Sequence, residues 1–160
     1  KLIILIIYIM KEAEAEKIFK HKINDVKNMM GKKGVTYLDE LNSAGFKFFK
    51  VKFKGVFASD KIPNLNDLAP YAIINVDKTD MPGSHWVAIA KTPNDNLMVF
   101  DSFGRKTNEL IPDMKKSGNG KIIDTDYDAN QKIKQYDCGM RCIAWLYMFD
   151  KYGSEVAKLI

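Results

Sequence analysis

The sequence predicts an α+β fold in which one buried central helix packs on a mixed or antiparallel sheet. Residues 138–152 have the length of a helix and are apolar nearly all the way round, which is typical of a helix buried on every side. Residues 11–30 are apolar at helical spacing and predict an amphipathic helix that ends at Gly31. Apolar segments bounded by turn residues predict three strands: YAIINV at 71–76, HWVAIA at 85–90 and LMVFDSF at 97–103.

The composition fits one globular domain covering residues 1–160, since 46% of the residues are hydrophobic and no linker or repeat interrupts the chain. The net charge of +5 favours acidic partners. Because the lysines are dispersed, a non-specific DNA contact stays open as an accessory property. Two cysteines cannot form a disulfide framework, which favours the interior of a cell or virion over secretion.

The apolar segment LIILIIYIM at 2–10 is too short to span a bilayer, which takes about 20 residues. Its aliphatic, often β-branched side chains predict a strand that is buried on both faces or against a partner chain. We therefore treat residues 1–10 as an apolar N-terminal strand without an assigned role, and we expect no clear membrane association.

The remaining segments predict smaller elements. Thr36 is expected to cap a short helix that closes at Gly45. KFFKVKFKGVF at 47–57 alternates apolar residues with lysines and predicts a half-buried strand with a lysine face. Such lysines either protect an edge strand or contact phosphates. Residues 107–120 predict a short helical turn and a loop, and KIIDT at 121–125 predicts a short strand.

The turn-rich segment KTPNDN at 91–96 predicts that the strands on either side of it form a hairpin. This hairpin brings His85 close to Asp101. One even register pairs His85 with Asp101, and another pairs His85 with Phe103. Both even registers place His85 and Asp101 on the same face, because side chains alternate along a strand. An odd register would separate them. Local geometry thus predicts a histidine next to a carboxylate.

Cys138 is predicted to lie at the N-terminus of the buried helix, with Asp137 as its N-cap. The unpaired amides and the helix dipole favour a thiolate there. A cysteine in this position is more often a small buried apolar residue. The predicted histidine and carboxylate favour a catalytic cysteine over a packing one, because a base and an orienting acid together activate a thiol for nucleophilic catalysis. Gly139 is small enough to let a substrate backbone approach.

Three motifs carry a resemblance to a known family: GSHWVAIA at 83–90, VFDSFG at 99–104 and NQKIKQYDCGMRC at 130–142. They resemble the adenain-type cysteine proteases, the maturation enzymes of adenoviruses and of related large DNA viruses and virophages. These proteases are distant relatives of the ubiquitin-like-protein-specific proteases. The resemblance runs from Phe53 to Tyr152 and implies a papain-like or adenain-like cysteine protease fold.

The resemblance implies a role for each motif residue. Cys138 falls on the nucleophile and His85 on the general base that later acts as the acid. Asp101 falls on the carboxylate that orients the histidine. Gln131 falls on the side-chain donor of the oxyanion hole, where the backbone amide of Cys138 is its partner. Gln135 is the alternative residue for the side-chain donor of the oxyanion hole.

The resemblance also implies a cleft and a substrate class. Trp86 matches an aromatic residue that lines the family's cleft, although a core tryptophan is the alternative. The implied substrates are viral capsid or core precursor proteins, cleaved after glycine-containing sites during virion maturation, in the virion or the infected cell. No cofactor is implied for the chemistry, and an activating DNA or peptide stays open. The disulfide-linked peptide of the adenovirus enzyme has no usual anchor here, since both cysteines lie at 138 and 142.

Other hypotheses remain for the site. The two cysteines and two histidines match no zinc motif, so we expect no metal. Cys142, one turn from Cys138, is either a packing thiol or a redox partner. A ubiquitin-like-protein deconjugase would use the same triad, and an acetyltransferase of similar layout would need acetyl coenzyme A. A non-catalytic DNA- or capsid-binding protein is the alternative from a different class.

Overall fold

A five-stranded mixed sheet forms the centre of the computed structural model, which describes residues 12–79, 85–112, 114, 120–125 and 129–160. The strands lie in chain order: β1 Phe53–Ala58, β2 Tyr71–Asn75, β3 Trp86–Lys91, β4 Leu97–Phe100 and β5 Ile122–Asp124. The three central strands are antiparallel, and each edge strand runs parallel to its neighbour. The predicted α+β class with a mixed sheet is confirmed. The strand predicted at 1–10 lies outside the described residues.

Three longer helices pack against this sheet, and shorter ones connect its strands. The helices are α1 Glu12–Met30, α2 Leu38–Phe49, α3 Leu65–Leu68, α4 Thr107–Leu110, α5 Cys138–Tyr152 and α6 Ser154–Ala157. The amphipathic helix and the buried helix are therefore where the sequence predicts them. Within the part of the chain that the structure describes, no helix has both the length and the apolarity needed to cross a membrane.

Helix α5 lies in the core between the sheet and α1. Its Trp145 ring stacks on Phe100 of β4, with the ring centroids 5.5 Å apart and the planes 6° apart. Phe19 of α1 meets the same Phe100 ring edge to face at 5.8 Å. Burying each such side chain contributes about 1.5–3 kcal/mol relative to leaving it in water. A second apolar cluster covers the opposite face of the sheet, which explains why β2, β3 and β4 are apolar on both faces.

The short helix predicted to start at Thr36 and close at Gly45 is longer than predicted, and Thr36 does not cap it. Tyr37 holds the N-cap position, and its backbone amide donates to the Glu40 carboxylate at 2.9 Å. Gly45 lies inside α2, where a methyl group would come within 2.1 Å of the Phe53 ring. Gly45 is therefore a packing residue, and its apparent stop signal was wrong.

The strand predicted over 47–57 is correct only from Phe53 onward. Phe49 ends α2, and a 3-10 turn at Lys50–Lys52 separates it from β1. Val51, expected on the buried face, is 84% exposed. Phe49 and Phe53 are both buried with their rings 6.4 Å apart, so a helix end followed by a tight turn imitates the alternation of a strand.

The hairpin of β3 and β4 forms as predicted and selects one of the two even registers. Ala88 pairs with Phe100 and Lys91 with Leu97, which is the register that continues to His85 opposite Phe103. The rings of His85 and Phe103 lie 5.2 Å apart. The register matters for the site, because it brings residues just beyond the two strand ends to the same edge of the sheet.

Candidate active site

His85 and Asp101 occupy the two strand ends of the hairpin. His85 immediately precedes β3, and Asp101 immediately follows β4. Nε2 of His85 lies 2.5 Å from Oδ1 of Asp101, and both side chains are buried. A carboxylate on Nε2 fixes the ring orientation and leaves Nδ1 as the nitrogen for a second partner. The predicted His–Asp pair is therefore present.

Asp101 is itself held by the loop that follows it. Its Oδ2 accepts hydrogen bonds from Arg105, at 3.0 Å from Nε and at 2.9 Å from the backbone amide. The amide of Phe103 donates to Oδ1 at 3.3 Å. Burial alone would raise the pKa of Asp101, but His85 and Arg105 together lower it to about 2. Asp101 therefore stays ionised and can stabilise a charged imidazole.

The third predicted group, Cys138, is the first residue of α5 and is 7% exposed. Burial would lower the pKa of His85, but hydrogen bonds to Asp101 and Cys138, and the charges of both groups, raise it above 6.5. The carboxylate bonds the imidazole directly, and the Cys138 side chain lines the same cleft as His85. A histidine that keeps its proton is a suitable neighbour for a thiolate nucleophile.

Asp137 occupies the N-cap position of α5, as predicted, but its side chain does not cap the helix. The carboxylate instead forms ion pairs with Nε of Arg141 at 2.8 Å and with Nζ of Lys27 at 2.6 Å. Burial would raise the pKa of Asp137, but these two cations lower it. The two cations therefore balance the negative charge beside Cys138, and Lys27 links the start of α5 to α1.

Gln131 is 5% exposed and has a fixed orientation. Its Oε1 accepts a hydrogen bond from the Ser102 hydroxyl at 2.6 Å, and its backbone amide donates to the Ser102 carbonyl at 3.0 Å. Its Nε2 donates to the backbone carbonyl of Gln135. Because a side-chain amide carries two N–H donors, one remains for another acceptor. The Gln135 carbonyl, which can only accept, thus decides which end of the amide is the donor, and the Ser102 hydroxyl donates to the other end.

Gln135, the rival donor, is exposed and bonded in a different way. Its Oε1 accepts from the backbone amide of Lys132 at 2.8 Å and from Arg141 at 3.4 Å. This arrangement closes the turn between Gln131 and the nucleophile helix. The geometry therefore supports Gln131 over Gln135 as a preset donor, and the role itself stays a prediction.

These groups line one cleft of about 430 Å³, a size typical of small ligand sites. Its walls are Val35, Thr36, His85, Trp86, Phe103, Gln131, Ile133, Gln135, Tyr136 and Cys138. Trp86 is also buried against the core, so the cleft and core interpretations of this tryptophan hold together. His85, Cys138 and Gln131 come from three separate parts of the chain, and the fold brings all three to this cleft.

Gly139 is required for packing next to the nucleophile. A methyl group in its place would lie 2.1 Å from Oγ1 of Thr36 and 2.9 Å from the Leu41 side chain. Gly139 is buried, and its missing side chain gives room to these neighbours. The expectation that Gly139 admits a substrate backbone stays a prediction.

Cys142 lies in the core, one turn after Cys138 on the same helix. It is fully buried, and burial raises the pKa of its thiol well above the ordinary value. This environment is that of an inert packing thiol. Cys142 is therefore a matched control residue for experiments on Cys138.

Three residues that hold the site together were not predicted from the sequence: Ser102, Arg105 and Arg141. Ser102 and Arg105 follow Asp101 in the same loop, so their proximity was available, but their contacts depend on the loop conformation. Arg141 lies in a buried helix. An arginine within an otherwise apolar helix indicates a buried ion pair, even where the sequence does not show its partner.

Because Asp101 stays ionised in the folded protein, the stability of the protein should fall in the acid range. Its pKa falls from 3.8 to about 2 on folding, so it contributes stability above pH 3.8 that is lost as the pH falls through about 2. The lowered pKa of Asp101 corresponds to a contribution of roughly 2–3 kcal/mol to the free energy of unfolding. Asp101→Asn should therefore be less stable than wild type at neutral pH, and the gap should narrow as the pH falls from 4 towards 2.

Urea unfolding of both proteins across this pH range measures the gap. Asp95→Asn, at a carboxylate that is 77% exposed, is the control and should show almost no gap. A gap for Asp101→Asn that is the same at every pH contradicts the ionised state of Asp101.

The arrangement of the site is one that cysteine hydrolases use: a cysteine at the start of a buried helix, with a His–Asp pair at the edge of the adjoining sheet. The α+β architecture is compatible with the papain-like and adenain-like fold that the motifs imply.

Two known proteins are similar to this chain. Over 132 residues it is 28% identical to the protease of ovine adenovirus D serotype 7 (isolate OAV287), covering 74% of this chain and 62% of that protein. Over 101 residues it is 29% identical to the protease of bovine adenovirus 7, covering 54% of this chain and 50% of that protein. No family model matches. The predicted resemblance to adenovirus proteases is confirmed, although the chain spans only 62% and 50% of the lengths of these two relatives.

Proposed function

We propose that this protein is a cysteine endopeptidase that cleaves viral capsid or core precursor proteins after glycine-containing sites during virion maturation. The observation that carries the proposal is that His85, hydrogen-bonded to Asp101, lines the same cleft as Cys138 at the start of α5. The relatives named as adenovirus proteases support viral proteins as the substrates. The same similarity supports a place of action in the virion or the infected cell.

The first half of the reaction forms an acyl-enzyme. The Cys138 sulfur attacks the carbonyl carbon of the scissile amide and forms a C–S bond, while the carbonyl electrons move to oxygen. The imidazolium of His85 then donates its proton to the leaving nitrogen, and the C–N bond breaks. Asp101 keeps the ring in position and stabilises its positive charge.

The second half releases the acyl group with water. His85, now neutral, takes a proton from a water molecule, and the resulting hydroxide attacks the thioester. The C–S bond breaks, the carboxylic product leaves, and the thiolate–imidazolium pair returns. These residues supply the nucleophile, base and acid, so the proposed chemistry needs no cofactor or metal.

Gln131 is proposed to bind the oxyanion that forms on the substrate. The second Nε2–H of Gln131 and the backbone amide of Cys138 are the two donors. A donor that the fold already holds in place needs no reorganisation during the reaction. The Ser102 hydroxyl keeps Oε1 away from the oxyanion, where an oxygen would repel it.

Incubation of the protein with capsid and core precursors tests the function. New termini read by mass spectrometry should lie after glycine and should be absent from a sample without the protein. A ubiquitin-like fusion serves as a second substrate. Cleavage of the fusion with intact precursors would support a deconjugase instead, and binding of precursors or DNA without any cleavage would overturn the peptidase proposal.

Gln131→Ala is expected to lower kcat by about 10²–10³-fold, because it removes one donor from the developing oxyanion. The rate of Cys138 alkylation by iodoacetamide should change little, since alkylation forms no oxyanion. Gln135→Ala is the comparison variant, and it should lower kcat less than Gln131→Ala does, because it loosens the turn but removes no oxyanion donor. A larger loss for Gln135→Ala than for Gln131→Ala would transfer the role to Gln135.

A further inference from the structure

Arg141 is a buried arginine on the nucleophile helix, one turn after Cys138. It is 7% exposed, although the other α5 residues in the core are apolar or small. Burying a guanidinium costs several kcal/mol unless it is paired and hydrogen-bonded. Its partners therefore show what the fold gains from this charge.

Two of these partners belong to the segment that carries Gln131. We define residues 130–135 as the oxyanion loop. Nη1 of Arg141 donates to the Asn130 carbonyl at 2.8 Å, and Nη2 lies 3.4 Å from Oε1 of Gln135. Arg141 thus contacts both ends of the oxyanion loop, with Gln131 between the two contact points.

The third partner fixes the guanidinium to its own helix. Nε of Arg141 donates to Oδ1 of Asp137 at 2.8 Å, one turn before it on α5. Asp137 is also paired with Lys27 of α1 at 2.6 Å. Lys27 therefore shares the same carboxylate with Arg141, and none of the contacts described for it reaches the oxyanion loop.

We propose that Arg141 is a positioning residue that sets the distance between Gln131 and Cys138. The planar guanidinium joins the start of α5 to both ends of the oxyanion loop, which holds the Gln131 amide against the nucleophile. A lysine cannot replace it, because an ammonium is a point charge and does not reach three fixed directions at once. The inference rests on the proposed function, since Gln131 matters only where an oxyanion forms.

The test uses Arg141→Lys and Arg141→Met, with Lys27→Met as the control. Arg141→Lys keeps a positive charge for Asp137 but loses the paired loop contacts. Both Arg141 variants should lower kcat by about 10- to 100-fold, with little change in KM, because a small misplacement of a catalytic group has this effect. Lys27→Met removes a partner of the same carboxylate but leaves the loop contacts of Arg141 in place, so it should lower kcat far less than either Arg141 variant.

A double-mutant cycle with Gln131→Ala separates positioning from a general structural role. If Arg141 acts through Gln131, Arg141→Lys should cost little more once Gln131 is alanine, by about two- to threefold. If the two losses multiply in full, Arg141 does not act through Gln131 and the inference is overturned. The same cycle with Lys27→Met should give independent effects.

Amide hydrogen exchange tests the role of Arg141 without a substrate. It therefore applies even if the Arg141 variants are less stable or if no hydrolysis is found. Amide hydrogen exchange at Lys132 and Gln135, whose amides bond within the oxyanion loop, reports the order of that loop. Exchange there should become at least about tenfold faster in Arg141→Lys and stay unchanged in Lys27→Met. Unchanged exchange in both variants overturns the inference. Absent hydrolysis by the wild type overturns the proposed function alone.

Discussion

Cys138→Ser should lower the rate of peptide hydrolysis by about 10⁴- to 10⁶-fold, the loss seen when a nucleophile is removed from a triad that acts as a unit. The hydroxyl that replaces the thiol is a far weaker nucleophile at neutral pH, and His85 alone does not restore its reactivity. The fold should persist, because serine is close to cysteine in size. The measurement is the single-turnover rate on a precursor peptide, with far-UV circular dichroism to verify folding.

Cys142→Ala is the matched control for this substitution. It removes the other cysteine of the same helix, one turn away, where the thiol is buried in the core and faces no substrate. It should lower stability by about 1 kcal/mol through lost packing and leave kcat nearly unchanged. If Cys138→Ser hydrolyses the peptide as fast as Cys142→Ala, the nucleophile has been misassigned.

His85→Ala is expected to have the second largest effect, a loss of about 10⁴-fold or more in kcat. It removes the base, the acid and the charged neighbour of the sulfur at once. It also leaves Asp101 buried with Arg105 as its remaining charged partner, so a moderate loss of stability should accompany the loss of rate. The measurement combines the hydrolysis rate with a urea unfolding curve.

His21→Ala controls for the histidine substitution itself. His21 lies on the exposed side of α1, with 82% of its side chain accessible, and is the other histidine of the chain. It should hydrolyse the peptide at the wild-type rate. Comparable losses for both histidine variants would mean that His85 has no special role, and the proposed mechanism would fail with it.

The His–Asp pair was predictable because it depends on a short hairpin. A turn-rich segment between two apolar strands fixes their pairing within one or two residues, and alternation then decides which side chains share a face. The sequence left two even registers open, and the structure selects the one that continues to His85 opposite Phe103. Local rules were enough here, because few residues separate the paired positions.

The proximity of Cys138 and Gln131 to His85 does not follow from local rules. Helical length and all-round apolarity predicted the buried helix, but no local rule brings its first residue to His85, since that contact requires the packing of α5 on the sheet. The resemblance of three motifs to adenain-type proteases supplied this step. The structure then places all of these residues around one cleft.

The errors at Gly45 and Val51 have one physical cause. Gly45 predicts a helix stop, yet its lack of a side chain serves the close approach of the Phe53 ring. The alternation of Phe49, Val51 and Phe53 predicts a strand, yet a turn between two elements exposes the middle residue. In both cases tertiary packing determined the local structure, and the contacts involved are not visible in a single sequence.

The positions of the two tryptophans make the fluorescence of this protein useful for following binding. Trp145 is enclosed by Phe100 and donates its indole N–H to the Ala157 carbonyl at 2.9 Å, whereas Trp86 lies at the wall of the cleft. Replacing Trp145 with phenylalanine would leave a single indole emitter in the chain. The wavelength and lifetime of its fluorescence would then follow the arrival of a peptide beside Cys138 in real time, without any label on either molecule.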